Sequence, residues 1–305
     1  LKNPTILVVQ DQLMVLARRV TEDFKKGTGK KNGRPTKIFE SSLVAAWMPL
    51  EQLFATGSDF ESERAMEFVG VPTHTGKLFP CIPDGSTELT MGPEDPRLFV
   101  VDGIRFLLDF RPPLATKRGV SCADFCGRVQ PYITPIDEDA LSRQELKLKR
   151  SQQLLLDNRN CGSEDSEKNW TPLKLKDRSL YMSRNIGKTH EIVSIVPPLA
   201  PNGFYPTEQH IPAPMFNAED RFAKALALEG IDLRGGSPFV EIDHPHRGKQ
   251  LLSIVHTKRF DTDSYENMAI TANPEPPFAL TSIGRPLPLG CKQSKQKRAD
   301  ESICF

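Results

Sequence analysis

Long apolar segments and a strong net charge are both missing from this chain of 305 residues. No window approaches the roughly 20 consecutive apolar residues that a membrane-spanning helix needs. Because 40 basic residues face 39 acidic ones, the chain lacks the one-signed field that attracts nucleic acids. We therefore expect no membrane span and no nucleic-acid partner. The first residue is Leu1 and no signal-like apolar segment follows it, so we interpret the chain as a fragment and favour the cytoplasm over the secretory lumen.

Metal-binding patterns are missing as well. The six cysteines are Cys81, Cys122, Cys126, Cys161, Cys291 and Cys304. Only Cys122 and Cys126 lie close in sequence, and no second pair completes a zinc site. His244 and His246 share a loop without a third candidate ligand. We expect no metal, and buried thiols, with one or two disulfides as the alternative.

Turn-forming residues, in contrast, are abundant. The chain has 26 prolines and 20 glycines, and its apolar runs are short, which is typical of β proteins with long loops. Hairpin-like units recur near residues 5–19, 97–110, 179–196, 239–256 and 264–283. Repeated antiparallel units of this kind predict an all-β fold, a five-bladed β-propeller forming one domain over residues 1–290. Residues 291–305 are a basic tail or the start of further strands.

Two insertions between these units are predicted to be helical. In residues 137–157, Leu141, Leu148 and Leu155 repeat every seven positions, and Asp137 is the expected N-cap. Residues 217–230 form the second, capped by an asparagine and ended by a glycine.

Two acidic residues and one arginine lie close together in the short segment Gly92-Pro93-Glu94-Asp95-Pro96-Arg97. A β-type run follows it, and the Asp102-Gly103 pair predicts a tight hairpin there. Because side chains alternate along a strand, we expect Asp95 and Arg97 on one face and Glu94 on the other. A carboxylate beside a guanidinium suits proton transfer with an anion clamp. The alternative is a structural ion pair that pins the hairpin.

Four groups of residues then follow one another in a recognisable order. They are Asn3-Pro4-Thr5-Ile6 with Ala17-Arg18-Arg19; Gly92 to Arg97; Lys168-Asn169-Trp170-Thr171-Pro172 with Tyr181-Met182-Ser183-Arg184 and His190-Glu191; and Gly235-Gly236-Ser237-Pro238 with Ile254-Val255-His256. This series resembles the β-mannoside phosphorylases and mannosyltransferase-phosphorylases, the five-bladed propeller enzymes of the glycoside hydrolase 130 type. The resemblance covers most of the chain and implies that the family's final strands are missing after Phe305.

By this resemblance, Asp95 is the general acid, which passes its proton through a sugar hydroxyl to the glycosidic oxygen. Phosphate attacks from the opposite face with inversion, and Arg184 and His256 are the expected phosphate ligands. The expected substrate-binding residues are Asn3, Arg18, Arg19, Glu94, Arg97, Asn169 and His190. The substrate is an oligosaccharide or sugar phosphate, with inorganic phosphate as co-substrate and no metal or organic cofactor.

Structural alternatives exist for each of these residues. Arg18 and Arg19 could be a pair of charges at the end of a strand, and Arg184 could form an ion pair with Asp177 or Glu191. His256 could be a core residue and His190 could cap a strand. Asn3 and Asn169 could hydrogen-bond within turns. Three rival functions also stay open: an inverting β-mannoside hydrolase with Glu191 or Asp243 as second carboxylate, a sugar-nucleotide-dependent mannosyltransferase, and a non-catalytic propeller that binds glycans or proteins. Oligomeric state is left open.

Overall fold

The protein is represented by a computed structural model that describes part of the chain. The described residues are 2–21, 30–31, 34–35, 37–53, 67–73, 79–80, 88–101, 103–112, 114–115, 117, 129–153, 170–174, 180–186, 189–195, 207–212, 228, 231–259, 264–275 and 278–287. The chain divides into two compact units, Leu1–Gln153 and Leu154–Phe305.

The described part of the first unit consists almost entirely of strands. They are β1 (Lys2–Val9), β2 (Gln12–Thr21), β3 (Lys30–Lys31), β4 (Arg34–Pro35), β5 (Lys37–Pro49), β6 (Val69–Val71), β7 (Phe79–Pro80), β8 (Glu88–Met91), β9 (Glu94–Val101), β10 (Ile104–Arg111), β11 (Leu114–Ala115), β12 (Gln130–Pro135) and β13 (Gln152–Gln153), with a 3-10 turn at Leu50–Leu53 and helix α1 at Glu138–Leu141. The first sheet has the order β1-β2-β5-β6, with β8 parallel to β5. The second sheet has the order β9-β10-β12-β13, and β3–β4 and β7–β11 form small separate pairs.

The two large sheets of this unit share one hydrophobic core. Leu16 and Leu43 from the first sheet pack with Leu98 and Leu107 from the second. Full burial of a leucine side chain contributes roughly 1.5–3 kcal/mol, so this cluster holds the sheets face to face. At the core's edge, the Leu98 amide donates to the Thr5 hydroxyl over 3.1 Å. This bond places the start of β1 beside β9.

The second unit repeats the pattern. Its strands are β14 (Thr171–Lys174), β15 (Leu180–Ile186), β16 (Thr189–Ile195), β17 (Thr207–Pro212), β18 (Ile231–Gly236), β19 (Val240–His244), β20 (Gly248–Arg259), β21 (Ser264–Ala272) and β22 (Leu280–Pro286). The third sheet has the order β14-β15-β16-β17, and the fourth has the order β18-β20-β21-β22, with β19 also paired to β20. The Phe239 amide donates to the Pro172 carbonyl over 3.0 Å, which joins these two sheets.

The all-β, propeller-like fold class is confirmed, since the four large sheets are mostly antiparallel meanders of blade size. The predicted hairpins at 5–19 and 97–110 are present as β1–β2 and β9–β10. Gly103 adopts φ of 78° in the second turn, where glycine meets no steric penalty. The single-domain boundaries stay a prediction. Among the described residues, no helix is long and apolar enough to span a bilayer.

The helix predicted over 137–157 is wrong in its length. Asp137 caps α1 as expected, because its carboxylate accepts the Ala140 amide over 3.1 Å, but the helix ends after one turn at Leu141. Gln144 has φ of 60°, and Leu148 then forms a β-bridge with Ile136. Leu141 and Leu148 therefore reach the same core because the chain returns to it, not because a helix continues. Leu155 lies outside the described part. Residues 217–230 lie outside the described part except for Leu228, and all six cysteines lie outside it.

Candidate active site

Two backbone irregularities meet where β1 and β9 begin. Asn3 and Asp95 each have φ of 47°, in the left-handed region that asparagine and aspartate tolerate better than most residues. Each lies at a register shift, Asn3 between Lys2 and Thr5 and Asp95 opposite the Leu108–Phe110 step. Such strained positions cluster at functional sites, where the surroundings hold them in place.

The side chains at these irregularities form one polar cluster. The Asn3 Nδ2 donates to Asp95 Oδ1. The Nη1 atom of Arg18 lies 3.4 Å from Glu94 Oε2 and 3.6 Å from Asp95 Oδ1. Side-chain exposure is 4% for Glu94 and 16% for Asp95. One guanidinium therefore faces two neighbouring carboxylates, and Asp95 is the more open of the two.

The predicted alternation of Glu94 and Asp95 across the strand is wrong. Regular pleating would send adjacent side chains to opposite faces. The positive φ of Asp95 and the register shift beside it break the alternation, as a β-bulge does. Both carboxylates consequently reach Arg18.

Arg97 lies deeper in the second sheet. It is 7% exposed, and its Cζ is 5.7 Å from the centre of the Phe110 ring. Burial lowers the pKa of Arg97 to about 10, against an opposing effect of the Asp95 charge. The guanidinium of Arg97 and the carboxylate of Asp95 attract each other electrostatically. A role for Arg97 in sugar binding stays a prediction.

Ser41, on β5, connects Arg18 to Pro93, the residue that precedes the two carboxylates. Its hydroxyl accepts from Arg18 Nε over 2.8 Å and donates to the Pro93 carbonyl over 2.5 Å. Gly92 packs so tightly against this strand that a Cβ there would lie 2.1 Å from the Ser41 carbonyl oxygen. Sequence patterns did not point to Ser41, because a serine in a strand gives no signal of the arginine that it will meet. Only the antiparallel pairing of β2 with β5 brings the two together.

Arg19 does not join this cluster. It is exposed, and it follows Arg18 on a regularly paired stretch of β2. Adjacent residues of a regular strand face opposite ways. Of the two arginines predicted near the sugar, the structure places Arg18 at the carboxylates.

The predicted residues of the second unit are described mainly by their backbone. Arg184 pairs with Glu191 across β15 and β16, and His190 pairs with Asn185; the side chains of these residues and all of Asn169 lie outside the described part. His256 is half-buried on β20 and pairs with Asn267.

Arg184 and His256 lie on strands of the third and fourth sheets. The Gly236 amide of β18 donates to the Thr171 hydroxyl of β14 over 3.3 Å, which is a second hydrogen bond between these two sheets.

Asp243, one candidate for the second carboxylate of a hydrolase, is 87% exposed and lies 3.9 Å from Lys249 Nζ. A carboxylate so open to water is an ordinary surface ion pair. In the part of the chain that the structure describes, no three His, Cys, Asp or Glu side chains come together as metal ligands.

Comparisons with known proteins assign no family. No family model and no curated protein matches the chain. Among solved structures, an α-L-arabinofuranosidase from Lactobacillus brevis matches with a TM-score of 0.44 and 11% identity, over 90% of this chain and 68% of its own. A BT0996 complex with RGII matches with a TM-score of 0.41 and 10% identity, over 92% and 72%. The RS223 β-xylosidase has a TM-score of 0.30 and 9% identity, over 92% and 94%. Likenesses this low specify no activity for this chain.

Proposed function

We propose that this chain is a carbohydrate-active enzyme that makes or breaks β-mannosidic bonds by inverting phosphorolysis. The observation that carries the proposal is the Asp95 carboxylate. It lies partly open at a strained bulge and is held by Asn3 and Arg18. A positioned, partly accessible carboxyl group meets the first requirement of a general acid. The mannoside and phosphate specificity come from the motif resemblance.

The proposed reaction balances as follows. A phosphate oxygen bonds to the anomeric carbon while the bond from that carbon to the glycosidic oxygen breaks. The electron pair of the broken bond stays on the glycosidic oxygen, which receives the proton of Asp95 through a sugar hydroxyl. The products are a mannosyl phosphate of inverted configuration and an acceptor sugar with a free hydroxyl. The phosphate group releases its own proton to water, and Asp95 takes up a proton from water in return.

Two features favour phosphate over water as the nucleophile. An inverting hydrolase needs a second carboxylate with room for a water molecule, roughly 6.5–9.5 Å from the first. Glu94 is too buried for that role and Asp243 is an open surface group, whereas the side chain of Glu191 lies outside the described part. The resemblance also supplies an arginine, Arg184, and a histidine, His256, on strands of the third and fourth sheets, and such donors suit an anion.

The first experiment follows phosphate release from mannose 1-phosphate with mannose or mannobiose as acceptor, and the reverse reaction with and without phosphate. We expect Asp95→Asn to lower turnover by about 10²–10⁴-fold, the usual contribution of a general acid, with unchanged circular dichroism. Asp139→Asn, on the exposed side of α1, is the matched control and should leave turnover unchanged.

Near-normal turnover by Asp95→Asn would refute the acid assignment. Sugar release that needs no phosphate would favour the hydrolase, and activity with a sugar nucleotide would favour the transferase. Sugar binding without turnover would favour the non-catalytic propeller.

A second experiment addresses the anion site. We expect Arg184→Ala to raise the KM for phosphate at least ten times more than the KM for the sugar. Arg285→Ala, an exposed arginine of the same unit, is the control. Equal changes in both constants would exclude Arg184 as a phosphate ligand.

A further inference from the structure

We infer that Ser41 is a positioning residue, which sets the orientation of Arg18 and ties it to Gly92 and Pro93, the residues that lead into β9 and Asp95. The inference rests on the proposed function for its catalytic consequence. Its geometric content rests on contacts among residues of the first unit alone. No motif of the resemblance includes Ser41.

The direction of the hydrogen bonds around Ser41 follows from the groups involved. The Nε of Arg18 can only donate, and the Pro93 carbonyl can only accept. The Ser41 hydroxyl must therefore accept from the arginine over 2.8 Å and donate to the carbonyl over 2.5 Å. Hydrogen bonds in such a chain polarise and strengthen one another. The result is one continuous link from the arginine to the residue before Glu94.

This link removes a specific freedom from Arg18. An arginine side chain has many rotamers, and holding it in one of them costs conformational entropy. With Nε fixed by the hydroxyl, the planar guanidinium is oriented, and its Nη1 faces Glu94 at 3.4 Å and Asp95 at 3.6 Å. Ser41 itself is 8% exposed, so water competes little for the bond.

Ser41 also holds in place Gly92 and Pro93, the two residues that precede β9. The Ser41 backbone carbonyl is the nearest neighbour of Gly92, where no side chain fits. The backbone and the side chain of Ser41 thus contact two successive residues, Gly92 and Pro93. A shift of Ser41 would move Arg18 and Asp95 relative to each other, and misplacement by about 1 Å can cost about 10²-fold in rate.

The activity test compares Ser41→Ala with Ser42→Ala, its exposed neighbour on β5. We expect Ser41→Ala to lower kcat by about 10–100-fold with a smaller change in sugar KM, and Ser42→Ala to change either by less than two-fold. Ser41→Thr, which keeps the hydroxyl, should recover most of the rate. Arg18→Lys removes the Nε donor. The double variant with Ser41→Ala should therefore have a rate less than two-fold below that of Arg18→Lys alone.

A second readout does not depend on activity. In ¹⁵N-labelled protein, the Arg18 Nε–Hε signal, assigned by its loss in Arg18→Lys, should exchange slowly with water. It should exchange at least ten-fold faster in Ser41→Ala, while circular dichroism stays unchanged. An unprotected Arg18 signal in the wild type would overturn the inference. So would a Ser41→Ala substitution that lowers the rate by the same factor in the wild type and in Arg18→Lys.

The two proposals fail separately. A wild-type protein that is inactive on every sugar, yet shows the protected Arg18 signal lost in Ser41→Ala, refutes the proposed function and keeps the positioning role. An active wild type whose rate is unaffected by Ser41→Ala refutes the positioning role and keeps the proposed function.

Discussion

Two segments of the second sheet have the same spacing of aspartate and arginine and use it differently. Asp95-Pro96-Arg97 begins β9, and Asp109-Phe110-Arg111 ends β10. In the second segment, Arg111 donates to Asp109 over 2.8 Å, and the side chains are 3% and 0% exposed. In the first, the aspartate turns to Arg18, a residue of another sheet.

Backbone regularity explains the difference. Asp109 and Arg111 pair in register with Tyr132 and Gln130, so they share a face as alternation requires. The Arg111 guanidinium also stacks over the Tyr132 ring at 4.5 Å. Burial raises the pKa of Asp109, and Arg111 opposes this rise. Strand regularity thus yields a closed structural pair, whereas the bulge at Asp95 leaves its carboxylate partly exposed.

The largest effect on stability should come from breaking the closed pair. We expect Arg111→Met to lower the free energy of unfolding by about 3–5 kcal/mol in urea denaturation, because Asp109 loses its buried counter-ion. Arg18→Met should cost less than half as much stability and far more activity per folded molecule. A reversed order of the two stability losses would contradict the distinction between the pairs.

The pH dependence of Arg111→Met provides a check. Without Arg111, nothing opposes the burial that raises the Asp109 pKa above its unfolded value of 3.8. An acid with a raised folded pKa contributes stability below the unfolded pKa and loses it as pH rises. The destabilisation should therefore grow as pH rises above about 4. The double replacement of Asp109→Leu with Arg111→Met should recover much of the loss, since no unpaired charge stays buried.

A smaller stability effect, but a clear loss of activity, should follow Gly92→Ala. The new Cβ would clash with the Ser41 carbonyl at 2.1 Å, and φ there is 96°. We expect a loss of about 1–3 kcal/mol in unfolding free energy and at least ten-fold lower turnover. Gly103→Ala is the matched control, because it has φ of 78° and open space around the Cβ. It should lose stability from backbone strain alone and keep its turnover; equal loss of turnover in both variants would exclude a local effect at the site.

The smallest effect concerns a carboxylate with a purely structural role. The Ala140 amide, hydrogen-bonded to Asp137, lowers the pKa of that carboxyl below its usual 3.8. Its contribution is present above the unfolded pKa and is lost as pH falls through the lower folded value. Asp137→Asn keeps a capping oxygen, so it should remove this acid-side decline from the stability profile below about pH 4 without changing turnover. An unchanged profile would mean that the cap does not titrate with folding.

Local patterns predicted well what depends on neighbours in sequence. The Asp102-Gly103 pair predicted the β9–β10 hairpin, and Asp137 predicted the start of α1. Alternation failed at Glu94 and Asp95, because a register shift depends on the partner strand. The long helix predicted from the leucine spacing after Asp137 was wrong for a similar reason. Leu148 forms a β-bridge with Ile136, so the chain does not continue as a helix to that position.

The amino-acid sequence by itself determined the all-β class, the hairpins and the acidic segment that ends at Arg97, because alternation, turn residues and charge act over a few neighbouring positions. Tertiary structure alone decided which arginine faces Asp95, and it brought Ser41 and Asn3 to the same cluster. Those contacts join residues from four strands, β1, β2, β5 and β9, and a one-residue shift in pairing redirects every side chain involved.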